Sequence, residues 1–368
     1  KRIIKAFQNF KEQDLEDILW LIINKKDIVK NIIDDIKKRL AFYVPHIPSS
    51  RVELVSELPQ KDSSDKNAIL LFGSSDLISK AIVFNIDYRQ NPTDGWDWCK
   101  LAKYCSNHKV NIEESKLRFI NYISILKKEA FDKTYIFGTG PTLEKAINHD
   151  WSDGYRIVCN TIVRDSVLWN HIKPHFIVAG DAIYHFGHTN FAKQFRQDLA
   201  KRLNETETFF LYPDLFDVIV QRELSQFSNK LIPIPEEYYE KIHTDLTRQF
   251  IIPGLNNVLA SLLLPLACTL SKQIFLWGFD GRAPGDQLFW KNSEKHTYPH
   301  LIPELQKAHP AFFEHYVPQK DSNHYIKLAF GELLDQLLIN AENEGFTFTM
   351  MHKSWTATLQ KRFTKKIN

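Results

Sequence analysis

"YIFGTGPTLEKA", residues 135–146, runs from an apolar stretch into two glycines and a proline, then restarts with helix-forming residues. That order predicts a strand, a tight turn and the first turn of a helix. Pro141 falls where a first helical residue stands, which makes Gly140 the N-cap. Amides of such a first turn face outward with the positive end of the helix dipole and suit a phosphate. A β–α turn that needs glycine only for its backbone freedom fits the same residues. The dinucleotide pattern GxGxxG is incomplete, because Leu143 stands at the third glycine position. The next strand ends in Asn160, where a ribose-binding acid would be required.

From residue 133 onward, short apolar runs alternate with helical patterns. The strand candidates are "TYIFG" (134–138), "YRIVCN" (155–160), "HFIVAGD" (175–181), "ETFFLYP" (207–213), "QIFLWGFD" (273–280) and "FTFTMM" (346–351). This rhythm predicts an α/β fold, a Rossmann-like and mainly parallel sheet with helices on both faces, over residues 131–368. Residues 1–130 read as a helical and small α/β elaboration. Helical spacing runs from Ile18, Leu19, Ile22 and Ile23 to Ile36, and strand-like runs follow at 51–58, 68–73 and 81–87. "NPTDGWDW" (91–98) reads as a turn before a helical stretch.

The 368 residues are 43% hydrophobic and 25% charged, ordinary for a chain that buries a core. A net charge of +3 gives no footprint for nucleic acid. The basic runs "DDIKKRL" and "LQKRFTKKIN" suit solvated faces, or contact with a membrane surface or an anionic acceptor. The four cysteines have no metal-ligand spacing, and Cys159 and Cys268 sit in apolar runs, which fits a reducing cytoplasm. The longest apolar stretch, residues 251–270, is broken by two prolines and two asparagines and does not read as a membrane span.

Several strands deliver small or polar residues to one sheet edge: Asn160, Gly180 and Asp181, then Gly278, Asp280 and Gly281. Ligands of parallel sheets bind at such carboxyl ends. Asn160 can donate and accept, so it can read a ring edge or a sugar hydroxyl. Asp181 can be a nucleophile, a base or a ribose anchor, or simply a helix N-cap. Pro253-Gly254 reads as the opening of a second helix, with Asn256 and Asn257 in its first turn. His296, Tyr298 and His300, and then Ser322, Asn323 and His324, form two histidine-bearing segments; Pro299 disfavours a shared metal-binding helix face for the first.

Taken in order, "IFGTGPTLEKA", "IVCNTIV", "PHFIVAGD", "PGLNNVLASLLLPLACTLSKQIFLWGFDG" and "DSNHYIKL" resemble the bacterial CMP-sialic acid-dependent sialyltransferases of glycosyltransferase family 42. They also resemble the related motility-associated factor proteins and sialyltransferase-like Kdo transferases. The likeness covers roughly residues 133–358. In the family the first turn reads GNGPS and contacts CMP; Gly138, Gly140 and Pro141 match, with Thr139 for its asparagine and Thr142 for its serine. Cys159-Asn160 matches in full, which implies that Asn160 reads the CMP part. Asp181 stands where the family has an asparagine facing the donor sugar. Pro253-Gly254 takes the place of a serine–glycine pair near the phosphate. Residues 277–280 resemble a strand end near the ribose, which implies roles for Gly278 and Asp280.

The resemblance further implies His324 as catalytic base, with Ser322 beside it, Tyr298 in a lid-like loop, and Arg248 or Arg282 as partner of the sugar carboxylate. It implies transfer of an ulosonic acid, sialic acid or Kdo, from a CMP-activated donor to a glycan or lipid-linked glycan, with no metal or other cofactor. The setting would be cytoplasmic, with peripheral association at the inner membrane. An inverting route needs only a base; a retaining route would use Asp181 as nucleophile. The alternatives are a nucleotide-dependent pyrophosphokinase of the same loose superfamily and a non-catalytic carbohydrate-binding protein.

Overall fold

The structure, a computed structural model, describes residues 19–23, 30–47, 52–55, 68–72, 82–238, 241–255, 257–283, 295–316 and 332–363. A small parallel sheet comes first in the chain: β1 (Leu19–Ile23), β2 (Val52–Val55), β3 (Ala68–Phe72) and β4 (Ile82–Asn85), in the order β2-β1-β3-β4. The helical reading of residues 19–23 is corrected here; Ile18 lies outside the described residues. "LWLII" is a continuous apolar run, and in so short a piece periodicity cannot separate a buried strand from a helix.

The large sheet has seven strands: β5 (Lys133–Phe137), β6 (Tyr155–Cys159), β7 (Phe176–Val178), β8 (Phe209–Pro213), β9 (Leu231–Ile234), β12 (Gln273–Trp277) and β13 (Thr347–Met350). A two-stranded ribbon, β10 (Glu236–Glu237) with β11 (Ile252–Pro253), separates β9 from β12 in the chain. The order β13-β12-β5-β6-β7-β8-β9 is parallel throughout. The chain therefore works outward from β5 to β9, then returns to the other side of β5 to lay down β12. Crevices open at the carboxyl ends of strands where the order reverses in this way.

Side chains alternate along each strand between two cores. Tyr135, Phe137, Val158, Ile177, Phe210 and Tyr212 fill one face; Ile136, Ile157, Cys159, Val178, Leu211 and Leu276 fill the other. Among the described residues, three helices come from the N-terminal part: α1 (Lys30–Tyr43), α2 (Asp94–Cys105) and α3 (Ile112–Leu126). Between strands lie α4 (Ser166–Ile172), α5 (Asn190–Glu205), α6 (Asp217–Leu224) and α7 (Leu264–Leu270). Helices α8 (Ile302–Ala308), α9 (Pro310–Tyr316) and α10 (Glu332–Asn343) follow. Trp98 and Leu101 of α2 share the first core with Phe195 and Leu199 of α5. Phe119 and Ile123 of α3, Leu266 of α7 and Leu337 of α10 share the second. The protein is thus α/β, with a seven-stranded parallel sheet covered on both faces. Helix α3 also shields the β9 edge, where Ser115 Oγ donates to Pro233 O (2.7 Å) and Arg118 Nη1 to Leu231 O (2.6 Å). An edge covered in this way cannot template pairing with another chain. Among the described residues, no helix is long and apolar enough to cross a membrane.

The reversal between β5 and β12 requires two backbones to touch. Gly138 N–H donates to Trp277 O, and Gly140 N–H to Gly278 O, both at 2.8 Å. A Cβ on Gly278 would lie 2.3 Å from Gly138 O, and Gly278 has φ +75°. Gly278→Ala is expected to cost at least about 2 kcal/mol, from the left-handed backbone and the steric conflict together. Urea unfolding curves of the two proteins check this, and an unchanged midpoint would contradict it.

Candidate active site

The glycine turn is built differently from the expectation. Pro141–Asn148 is a 3-10 helix with Gly140 at its N-cap, and its first-turn amides do not point free into a ligand space. Thr142 N–H donates to both oxygens of the Asp280 carboxylate (3.2 and 3.1 Å), and the Thr142 hydroxyl donates to it as well. Leu143 N–H donates to Gly140 O (2.9 Å). A carboxylate of the chain itself thus sits at the positive helix end that phosphate was expected to take. The sequence separation, 138 residues, hid this pairing.

Above the turn lies a cavity of about 670 Å³ at the carboxyl ends of the large sheet. Ten of the predicted site residues line it: Gly138, Thr139, Gly140, Pro141, Asn160, Asp181, Gly254, Gly278, Asp280 and Arg282. A volume of this size suits a small organic ligand. Arg282, 5% exposed, and Lys100 supply the cationic side chains of its lining. Carboxyl groups are more numerous there: Asp181, Asp214, Glu236, Glu237 and Asp280.

Asp181 follows β7, where the apolar strand delivers it to the cavity floor. Its Oδ1 accepts from the N–H of Ile183 (2.9 Å) and of Tyr184 (3.1 Å), which closes a turn; the helix that the N-cap alternative required does not follow, since the next one begins at Asn190. Desolvation by burial pushes the Asp181 carboxyl up to about 7, against the opposing pull of those two backbone donors. His185, four residues on, also lines the cavity, and its Nδ1 accepts from Asp181 N–H (3.2 Å). Burial, aided by the Arg196 guanidinium, pushes His185 down to about 3, so the imidazole is neutral at pH 7. A carboxyl poised near neutrality beside a neutral imidazole can hold or release a proton at working pH.

Asn160 stands at the end of β6 with φ +54°, a conformation that a non-glycine residue adopts only where its surroundings enforce it. Its buried Oδ1 has no hydrogen-bond partner among the described residues. An acceptor left unpaired beside a cavity is costly unless a ligand donates to it.

The second expected helix opening is also corrected. Pro253 belongs to β11, Gly254 N–H donates to Glu237 O (2.8 Å), and the helical path begins only at a π-helical turn, Leu259–Leu263, ahead of α7. Pro265 lacks the N–H that a regular helix would need there, which accounts for the looser turn. Asn257 caps that turn, its Oδ1 accepting from Leu259 N–H (2.9 Å); Asn256 lies outside the described residues. Two residues assigned to the sugar or the lid stand elsewhere. The Arg248 side chain is 89% exposed and pairs with Asp245 (3.3 Å). Tyr298 is buried, and its hydroxyl donates to Asp198 Oδ2 (2.8 Å). His296 is buried too, 3.7 Å from Asp165. Ser322, Asn323 and His324 lie outside the described residues.

The sequence reading missed His185, Trp96, Phe312 and the acids of the β8 and β9 ends. His185 carried a signal, its position one helical turn after Asp181; the others come from distant stretches. A scan of protein-family models matches none to this chain, and neither the curated proteins nor the solved structures contain a match.

The raised Asp181 value makes a prediction about stability. Between about pH 4 and 7 the folded state keeps a proton that the unfolded chain has lost, so this group's contribution to stability falls as pH rises through that window. Asp181→Asn keeps the oxygen that accepts both amides and removes the half-buried charge. The variant should melt about 3 °C above the parent at pH 8 and at nearly the same temperature at pH 4. Paired thermal melts read this; a variant gaining nothing at pH 8 would contradict the half-buried charge.

Proposed function

We propose that this chain is a glycosyltransferase that moves an acidic sugar from a CMP-activated donor to a glycan. The observation that carries the reading is the meeting of Asn160, Asp181, Asp280 and Arg282 around one cavity at the sheet reversal. The likeness to CMP-sugar transferases singled out the first three, and Arg282 was expected as a partner for the sugar carboxylate. With the glycine turn closed by Asp280, the donor's placement differs from the first expectation. The Asp280 carboxylate, held by Thr142, accepts from ribose hydroxyls. Arg282 meets the negative charge of phosphate or sugar carboxylate, a task suited to a guanidinium. The unpaired Asn160 oxygen accepts from the exocyclic amine of cytosine, a donor that uracil lacks.

In the transfer, a bond forms between an acceptor hydroxyl oxygen and the anomeric carbon. The bond from that carbon to the phosphate oxygen breaks, CMP leaves with the electron pair, and the hydroxyl proton passes to a base. Asp181 serves either as that base, giving inversion, or as the nucleophile of a glycosyl-enzyme intermediate, giving retention. Both uses need the ionised carboxylate, so with the Asp181 carboxyl at about 7 turnover rises with pH through 7 and levels off above it.

Two outcomes are expected. CMP, at about a hundred times its dissociation constant, raises the melting temperature by about 3 °C, while UMP and GMP at the same concentration do not. With CMP-sialic acid or CMP-Kdo as donor, Asp181→Ala lowers CMP release at least about a hundredfold. Protection by UMP equal to that by CMP, or a fully active alanine variant, would overturn the reading; the anomeric configuration of the product decides between the two uses of Asp181.

A further inference from the structure

The same cavity has an aromatic side that no donor group uses. Trp96, Tyr184 and Phe312 all line it. The Trp96 and Phe312 rings lie 6.3 Å apart at 22°, and Tyr184 meets Phe312 edge-on at 5.9 Å. The three rings come from α2, the loop after β7, and α9, so the wall is assembled rather than inherited from one element. We propose that this wall is the acceptor subsite, and that it takes the apolar face of an uncharged sugar ring. The word acceptor rests on the transferase reading; the binding itself does not.

Three consecutive residues build the wall. Asp94, fully buried, pairs with the equally buried His309, whose Nδ1 lies 2.8 and 2.9 Å from its two oxygens. Arg39 of α1 reaches both sides of that joint, with Nη1 at 3.4 Å from Asp94 Oδ2 and Nη2 donating to Ala308 O (2.7 Å). The joint thereby fixes the start of the segment that carries Phe312. Gly95 lets α2 close on the loop that carries Tyr184; a Cβ there would lie 2.4 Å from Ile183 Cγ2. Trp96 then supplies the half-buried ring. The fully buried Arg39–Asp94 ion pair is expensive to desolvate and gains little net stability over apolar packing, so the plainest use of this hydrogen-bonded joint is to fix geometry. Asp94 and His309 are positioning residues in this sense.

The chemistry selects the ligand class. Aromatic faces favour the C–H face of a sugar ring, while the surrounding polar lining takes its hydroxyls. Asp214, Glu236 and Glu237 line the same cavity and accept hydroxyl donors, but they repel a uronic or phosphorylated acceptor sugar.

Saturation-transfer NMR on the full chain tests this, with methyl β-glucoside, methyl β-galactoside and methyl α-mannoside as neutral probes and galacturonate as the charged one. CMP-induced thermal protection is read on the same samples. At least one neutral glycoside is expected to give saturable transfer at its ring C–H protons, and galacturonate none. Trp96→Leu should weaken that binding at least about fivefold, with Trp96→Phe recovering most of it. His309→Ala should weaken it in the same direction, and His309→Asn, which can still donate to Asp94, should restore it; a merely structural role would not couple glycoside affinity to that donor. Absence of saturable transfer from every neutral glycoside, or unaltered binding in a folded Trp96→Leu, overturns the subsite and leaves the donor reading standing wherever CMP still protects. Glycoside binding without CMP protection keeps the subsite and removes the transferase.

Discussion

Two backbones that approach too closely for any side chain govern this molecule. Where β5 and β12 diverge, Gly138 and Gly278 touch, and the Gly140 amide is spent on the Gly278 carbonyl. This contact extends the β5–β12 ladder past the strand ends, at the point where the strand order reverses. Because Asp280 follows so soon after Gly278, its carboxylate falls onto the Thr142 amide and occupies the helix end. The turn consequently presents a fixed anion, and the cations that a phosphate needs must come from farther along the loop. Arg282, two residues on, lines the same cavity.

The same economy of space governs the proton chemistry. Strand β7 is short and buried on both faces, and Asp181, three residues past its end, sits where desolvation by burial raises its carboxyl. Only one of its oxygens is stabilised by backbone donors. The result is a carboxyl whose affinity for a proton matches neutral pH without any nearby negative charge being needed. His185 completes the corner as a neutral group, kept so by burial and by Arg196, which donates to the carbonyls of His185 and Gly187. The N-terminal part of the chain bears on this region as well, since Arg39 of α1 and Asp94 of α2 reach the joint behind the aromatic wall.

Much of the fold was legible because strands buried on both faces must be written as unbroken apolar runs. "YIFG", "RIVC" and "FLWG" could be little else once helical patterns stood between them. Strand β9 escaped because Pro233 interrupts "LIPI", and proline is tolerated there only because the strand is at the edge. Strand β1 escaped because five apolar residues carry no readable period. For the site, local chemistry was legible and partnership was not. Position at a strand end brought Asn160, Asp181 and Asp280 to notice, but nothing in the sequence says that Asp280 will cap Thr142. Nor does it say that "NPTDGWDW", a turn by its composition, carries the residues that lock Phe312 in place. Arg248 and Arg282 look equivalent as letters; one ends in solvent and the other in the cavity.

The most direct test of the account is a structure of the protein with CMP bound. The account predicts the nucleotide in the cavity at the β5–β12 reversal, the cytosine amine on Asn160 Oδ1, the ribose hydroxyls on Asp280, and the phosphate turned toward Arg282 with Asp181 facing open space for a sugar. CMP bound outside that cavity, or seated there with its phosphate on the first-turn amides and Asp280 displaced, would contradict it.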